Sequence, residues 1–342
     1  MYSPAAVPDL AALRQCWHPV GYASKLTKEP RRTQLLGELI VLWRDSSGKA
    51  HALADMCIHR GTALSIGWVA GDEIVCPYHG WRFASSGACT LIPQLEDPTR
   101  IPSKARVKAY RCQERYGLLW VSLDDPRWPL PEIPEFESAD FQLVSTGPYE
   151  WRADASRQLE NFTDFGHFAW VHPGILGDPN RPIVPKHTVE AKGHVIHYEV
   201  VRPEAQRNDK FPIFFNESQT GFRHAVYEIH LPYTIVMRQD WGGKEKMIHL
   251  FVSQPVTADK CIGYPTIGRN YYPDLDAARY HEYEDTVFGQ DKRIVEEQRP
   301  EFVPFDLADE LHMGFDAVAV NYRKQMRAFG LAKRLEEIAP GL

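Results

Sequence analysis

Nowhere in this chain of 342 residues do about 18 consecutive apolar residues occur, the least a membrane-spanning helix requires. No segment is therefore expected to cross a bilayer. The opening MYSPAAVPDLAALRQCW has no basic region followed by an apolar one, so no secretory signal is expected and the cytoplasm is the expected compartment. A basic excess is lacking as well. Lys and Arg number 39 against 45 Asp and Glu, a formal charge of −6, which argues against nucleic acid or an anionic membrane as the main partner. No G-x-G-x-x-G fingerprint is present, so a bound dinucleotide is not expected here. Internal repeats and low-complexity tracts are absent. Cysteine is sparse: Cys16, Cys57, Cys76, Cys89, Cys112 and Cys261. In a reduced compartment, ligand-like spacing points to metal binding rather than to three disulfides.

What is present suits two globular domains, with 44% hydrophobic and 25% charged residues. The first third reads as short strands. Leu39–Trp43 is an apolar run, the turn cluster Asp45-Ser-Ser-Gly-Lys49 leads to a strand toward Met56, and Ile74–Cys76, Trp81–Phe83, Cys89–Ile92 and Tyr116–Leu123 follow. Pro126, Pro129, Pro131 and Pro134 then crowd together. Proline fixes φ and removes a donor, so an extended connection is expected, with a boundary at about residue 140. The domains are thus 1–140 and 141–342. In the second, Asp154–Val171 is helix-compatible, residues 194–271 return to strand character, and helices are expected over 274–299 and 313–337.

Cys57-Ile-His59 and Cys76-Pro-Tyr-His79 form C-x-H and C-x-x-H, sixteen residues apart. Two short ligand pairs on two loops suit a site closed by two hairpin tips. Thiolates bind iron through soft sulfur, and two imidazoles in place of two thiolates on the second iron of a 2Fe–2S cluster raise its potential. Gly61, Pro77 and Gly80 flank the ligands, where the loops must wrap closely. Zinc is the rival reading, but zinc modules usually pair cysteine with cysteine and histidine with histidine. Cys16, Cys89, Cys112 and Cys261 lack ligand spacing and read as small packing residues.

The segment Glu160–Pro173 reads E-x3-D-x2-H-x4-H, ending in His167 and His172. Five residues on a regular helix turn two side chains apart by roughly 140°. Both can reach one metal only if the helix ends or bulges between them, and Pro173 disfavours helical geometry at His172. A non-heme iron that activates O2 takes two histidines and one carboxylate. Spacing leaves Asp164, Glu160 or a distant acid as the third ligand. Asp291, in Gln290-Asp-Lys-Arg293, reads by itself as a solvated charge.

Together the two motifs resemble the Rieske non-heme iron oxygenases. The stretches that carry the likeness include Cys76-Pro-Tyr-His-Gly-Trp81, Gln113-Glu-Arg-Tyr-Gly117, Glu160-Asn-Phe-Thr-Asp-Phe165 and His172-Pro-Gly174. The likeness covers nearly the whole chain and is nearest to bacterial methylxanthine N-demethylases, with vanillate and dicamba O-demethylases and saxitoxin-pathway hydroxylases more distant. The resemblance implies an α+β protein: an all-β Rieske domain, then an α+β catalytic domain with an antiparallel sheet surrounded by helices. It implies Cys57, His59, Cys76 and His79 as cluster ligands, and His167, His172 and Asp291 around a mononuclear Fe(II). It also implies Asp164 as a bridge to the neighbouring subunit's cluster histidine, matching His79, in a homotrimeric ring.

O2 would be the co-substrate, with NAD(P)H electrons arriving singly through a separate reductase, with or without a ferredoxin. The expected reaction is hydroxylation of a small aromatic or heterocyclic substrate, above all oxidative N- or O-demethylation with formaldehyde release. Ring or aliphatic C–H hydroxylation is the alternative. An electron-transfer protein with a degenerate second site is the reading from a different class, and a zinc-stabilised binding module is a third. Asn161, one helical turn before Asp164, is a candidate substrate contact, its plainer reading being a locally bonded polar residue. Phe162, Phe165, Phe168 and Trp170 read as core packing.

Overall fold

Four consecutive residues, Ile40, Val41, Leu42 and Trp43, are each no more than 1% exposed. A strand alternates its side chains between two faces, so such a run must be covered on both. It is. Ile40 and Leu42 pack with Leu119, Val121 and Ala52 in one core, while Val41 and Trp43 pack with Cys57, Cys76, Ile74 and Phe83 in another. The strand, Glu38–Arg44, belongs to a six-stranded antiparallel sheet. Its order is His18–Tyr22, Leu118–Ser122, Ala109–Arg115, Ala50–Ala54, Glu38–Arg44, Arg31–Leu35. A four-stranded meander, Trp68–Ala70, Glu73–Val75, Arg82–Phe83 and Cys89–Leu91, completes the set. Each fully buried side chain of this size contributes about 1.5–3 kcal/mol, and the second core sits directly under the two candidate cluster loops.

The computed structural model describes residues 6–203, 211–215, 217 and 221–334. The chain divides into two compact units, Arg14–Leu130 and the remainder, which joins the segment up to Leu13 to everything from Pro131 onward. The passage at Leu130–Pro131 lies inside the proline-dense stretch, somewhat before residue 140. The first residues go with the later unit because Ala6–Pro8 pairs antiparallel with Ala332–Arg334.

That pairing also corrects the expected helix over 313–337. A 3-10 turn at Gly314–Asp316 leads into a helix over Ala317–Ala328. Gly330 then takes φ 67°, the left-handed geometry that stops a helix, and the chain becomes a strand. Residues 335–337 of the expected helix lie outside the described residues.

The larger unit is built on an eight-stranded antiparallel sheet. Its path runs Gln142–Ser145, Lys260–Arg269, Lys246–Thr257, Thr234–Asp240, Phe222–His230, Val195–Pro203, Val189–Lys192, with Tyr149–Trp151 also on Lys260–Arg269. Along Phe222–His230, every second residue (Arg223, Ala225, Tyr227, Ile229) is buried, which defines the inner face. The Ala155–Thr163 helix lies on it. Asp154 caps that helix by accepting from the Ser156 amide at 2.8 Å, and Gln158 accepts a 2.7 Å hydrogen bond from the Ser253 hydroxyl of the sheet.

The Ala277–Val295 helix, capped by Asp276, buries Tyr280, Tyr283, Glu284, Val287, Phe288, Asp291 and Val295. These recur at three- and four-residue intervals, one stripe of a 3.6-residue period. Asp291 and Glu284 therefore sit on the core-facing side, and Asp291 is not the solvated charge that its surroundings in sequence suggest.

Candidate functional sites

In the smaller unit, the two loops repeat one geometry. The Cys57 carbonyl accepts from the Gly61 amide at 2.9 Å and the Cys76 carbonyl from the Gly80 amide at 3.0 Å. Both glycines hold φ above 70°, a conformation that glycine adopts without strain. Each loop thus reverses tightly over its own cysteine. Cys57 and Cys76 are buried to 2% and 1% exposure, and both belong to the same core cluster. His59 Nδ1 and His79 Nδ1 face one another at 3.2 Å. The His59 ring stacks on Trp81 at 4.5 Å, and Gln94 donates to the His79 carbonyl at 2.8 Å. Burial pushes the Cys57 thiol up to about 11, so a metal entering here displaces thiol protons. Two sulfurs from a dry core and two converging Nδ1 atoms fit a 2Fe–2S cluster with mixed ligation. The remaining cysteines form no disulfide. Cys16, Cys89 and Cys261 are buried, and Cys112 packs at the edge of the first core.

In the larger unit, the helix-compatible stretch breaks where the chemistry requires it. The helix stops at Thr163, and Asp164 is extended at φ −86°, ψ 127°. A single turn, Phe168–Val171, follows with His167 before it and His172 just after it, at φ −120°, ψ 50°. The loop beyond folds back, and a Cβ on Gly177 would lie 2.5 Å from the Ala169 amide nitrogen. Only a glycine admits that approach. Out of helical register, the two imidazoles come to a ring separation of 5.2 Å.

Ligand atoms of His167, His172 and Asp291 all lie within 4.8 Å of one another. His167 Nε2 is 3.4 Å and His172 Nε2 2.9 Å from Asp291 Oδ1. His172 Nε2 is buried without a hydrogen-bond partner although that carboxylate is so near: the atoms are aimed at a common point rather than at each other. The outer nitrogens explain the aim. His172 Nδ1 lies 2.8 Å from Gln290 Oε1 and His167 Nδ1 lies 3.1 Å from Asp164 Oδ2. An amide or carboxylate oxygen can only accept, so each Nδ1 carries the proton and each Nε2 presents a lone pair. Two imidazoles and a carboxylate on one side, with the rest open, is a donor set suited to non-heme Fe(II).

The three acids that spacing left open have separate places. Glu160 is held by Arg323 at 2.7 and 3.0 Å, in a buried network in which Glu310 also pairs with Arg323 and Arg157. Asp164 orients His167 and also accepts from the Gly166 amide at 2.7 Å. Burial pushes the Asp164 carboxyl up, but the His167 contact and the loop amides outweigh it and hold it below its ordinary value. Asp291 alone faces both Nε2 atoms. Gln290, its neighbour, escaped the sequence reading. A polar residue beside a ligand candidate on a buried helix was the signal.

These groups line a common cavity whose walls are largely apolar, the kind of recess in which small-molecule sites form. Asn161 lines it and donates to Asp291 Oδ1 at 3.3 Å, so it is not a locally bonded helix residue. The aromatic run divides. Phe165 is core, 7% exposed, but Phe162 and Phe168 line the cavity and Trp170 is 64% exposed. Trp170 as a core residue is thus corrected: it sits on the outer side of a one-turn helix whose inner side already faces the sheet. Sequence reading also missed His249 and Glu284, both buried in the cavity wall with Nε2 and Oε1 3.8 Å apart and unbonded. Burial pushes His249 down to about 3 and Glu284 up to about 8, so both are neutral near pH 7.

Comparison with known proteins agrees with both halves. Residues 16–111 match the Rieske [2Fe-2S] domain family and residues 151–332 the vanillate O-demethylase oxygenase C-terminal domain family. Methylxanthine N1-demethylase NdmA of Pseudomonas putida is 35% identical over 92% of this chain and 88% of its own length. Methylxanthine N3-demethylase NdmB of the same organism is 30% identical over 95% and 91%. The structure of Pseudomonas putida CBB5 NdmA with caffeine superposes with a TM-score of 0.83 at 32% identity, covering 93% of this chain and 91% of that one. Dicamba monooxygenase, at 20% identity and a TM-score of 0.78, shares the fold. With both domains matched in order across nine-tenths of its length, this chain belongs to the Rieske non-heme iron oxygenases, as the oxygenase component that works with a 2Fe–2S cluster, a mononuclear iron, O2, and NAD(P)H electrons delivered by a separate reductase.

Proposed function

We propose that the enzyme oxidatively removes a methyl group from nitrogen or oxygen of a small heterocyclic or aromatic molecule held in the cavity beside His167, His172 and Asp291. The observation that carries this reading is the convergence of those three ligand atoms at the wall of a largely apolar cavity. In the same reading Cys57, His59, Cys76 and His79 hold the cluster in the smaller unit. The sequence similarity to N-demethylases favours a methyl group over ring or aliphatic C–H positions.

When bound, the iron supplies the oxygen-activating chemistry, and the protein's part is positioning and water exclusion. Gln290 and Asp164 keep both Nε2 lone pairs turned inward. Asn161 donates to Asp291 and orients its carboxylate, with a further edge toward the substrate. Phe162, Phe168 and Phe251 wall the cavity against water. A carbon bearing both a hydroxyl and an amine or ether oxygen collapses to formaldehyde, which gives the reaction a simple readout.

We also propose a head-to-tail ring of three chains, in which Asp164 of one chain faces His79 of the next. Asp164 is 41% exposed at its side chain while it holds His167. The smaller unit exposes Ile66, Trp68 and Tyr78, and the larger one Trp170, apolar surface of the kind an oligomer covers. The cytoplasm is the compartment we propose. No helix among the described residues is long and apolar enough to cross a membrane.

The test is anaerobic purification followed by the visible spectrum and by iron, zinc and acid-labile sulfide per chain. About three irons and two sulfides are expected for one cluster plus one iron, with formaldehyde from methylated heterocycles once a reductase and NAD(P)H are supplied. A colourless zinc protein would overturn the reading. Two irons that Fe(II) addition cannot raise to three would mark an electron carrier.

A further inference from the structure

Among the described residues, two arginines in the cavity wall have no anionic partner. Arg202 on Val195–Pro203 and Arg223 on Phe222–His230 are direct partners across the antiparallel ladder, so their side chains leave the sheet on the same face. Both line the cavity that holds His167, His172 and Asp291. Like charges placed opposite each other destabilise a strand pair, and Arg223 is only 7% exposed. Yet among the described residues no carboxylate lies within ion-pair distance of either guanidinium. Arg157 and Arg323 in the same unit are treated differently, meeting carboxylates at 2.9 Å and at 2.6 and 2.7 Å.

What holds the pair is aromatic and neutral. The Arg223 guanidinium lies 4.3 Å over the Phe214 ring and donates one hydrogen bond, of 3.3 Å, to Gln239 Oε1. Arg202 lies over Phe165 and Phe168, at 5.4 and 5.1 Å. Ring contacts fix the plane of a guanidinium and leave its N–H edge free, the geometry in which it binds a planar oxyanion with two parallel hydrogen bonds. The acids within the cavity do not supply the charge. Asp291 faces the imidazoles, and burial keeps Glu284 protonated near pH 7.

We propose that the substrate carries an anionic oxyacid group, a carboxylate in the first instance, seated on Arg202 and Arg223 so that its methyl-bearing end lies toward His167, His172 and Asp291. This rests on the cavity being the substrate site of the oxygenase, and it narrows the substrate class. A neutral xanthine such as caffeine would leave both guanidiniums unpaired; a methoxylated or N-methylated aromatic acid would not.

The test uses the iron-loaded holoenzyme under anaerobic conditions, with titration calorimetry of 4-methoxybenzoate against the isosteric, neutral 4-methoxybenzamide. The acid is expected to bind about ten- to a hundredfold more tightly, the worth of a charge-assisted pair in a dry site. Arg223→Met and Arg202→Met should each abolish most of that preference with cluster absorption and iron content unchanged, and Arg223→Lys should retain part of it. Equal affinity for acid and amide, or saturable binding of neither, overturns the proposal. So does an undiminished preference in both methionine variants. Should caffeine be turned over while the benzoate fails to bind, demethylation stands and the anion site falls. Should the benzoate bind through Arg223 while no methylated probe yields formaldehyde, the anion site stands and demethylation falls.

Discussion

Replacing Gln290 with leucine removes the acceptor that keeps His172 turned the right way. The imidazole is completely buried, and its Nδ1 lies 2.8 Å from Gln290 Oε1. No water reaches a ring so placed, so Gln290→Leu leaves a buried N–H unsatisfied, at about 1–3 kcal/mol. The ring escapes that penalty by moving its proton to Nε2, the nitrogen that faces Asp291, or by turning away. Either way the lone pair offered to the metal is lost. Loss of such an outer partner lowers metal affinity about 10–100-fold, consistent with the same free energy. The assay is Fe(II) retitration of protein stripped of its mononuclear metal, against a chromophoric chelator, with the cluster's absorption as an internal gauge of folding. Gln290→Glu restores an acceptor of the same length and should recover most of the affinity. If Gln290→Leu binds Fe(II) as tightly as the parent with the cluster intact, His172 does not depend on Gln290, and the orientation argument fails.

Asp164→Asn keeps one oxygen, enough to accept from His167 Nδ1 or from the Gly166 amide but not from both, and removes the carboxylate proposed to face the neighbouring cluster. Both metals should stay bound while turnover with reductase falls to a small fraction; full coupled activity would refute the bridge. Arg323 is 2% exposed and serves Glu160 and Glu310 together. Arg323→Met should therefore destabilise by about 3 kcal/mol, the lower end for breaking a buried ion pair because Glu310 is partly solvated. Denaturant unfolding reads this directly. Glu284 supplies a pH signature. Burial raises its folded pKa from 4.5 to about 8, so the folded chain keeps a proton that the unfolded chain releases. Stability is then highest below about pH 4.5 as far as this group is concerned and falls as pH rises to about 8, by on the order of 5 kcal/mol at most. Glu284→Gln should flatten that portion of the profile in thermal unfolding at about pH 6 and pH 9, and an unchanged slope would show Glu284 ionised throughout.

Both metal motifs were legible in the sequence because their chemistry is local. Cysteine and histidine two or three residues apart on a glycine-bounded loop can hardly avoid sharing a site, and Cys57–His59 and Cys76–His79 do so. The end of helical geometry at His172 was legible for a similar reason, since Pro173 disfavours helix at the residue before it, whereas the break at Asp164, ahead of His167, was not. The strand-rich first unit followed from short apolar runs between turn residues. Its start was not legible, because Ala6–Pro8 joins the later unit through a strand pairing some three hundred residues distant in the chain, and no local pattern records such a partner.

Asp291 marks the line between the two kinds of knowledge. Its neighbours Lys292 and Arg293 give it the look of surface, and only the phase it shares with Tyr280, Val287 and Val295 places it inside. Phase can say that a carboxylate is buried; it cannot say against what. That was decided when the Ala277–Val295 helix came to lie beside the broken helix carrying His167 and His172. The arginine pair is a tertiary fact of the same kind. Arg202 and Arg223 are unremarkable in sequence, twenty-one residues apart by number, and become a paired charge only through ladder register. Sequence alone determined which cysteines and histidines fall at ligand spacing, because that spacing is a property of the side chain and of a few neighbours. Tertiary structure decided which of them meet, which acids are occupied elsewhere, and what the cavity is charged to receive, because those depend on distances that burial and strand register set.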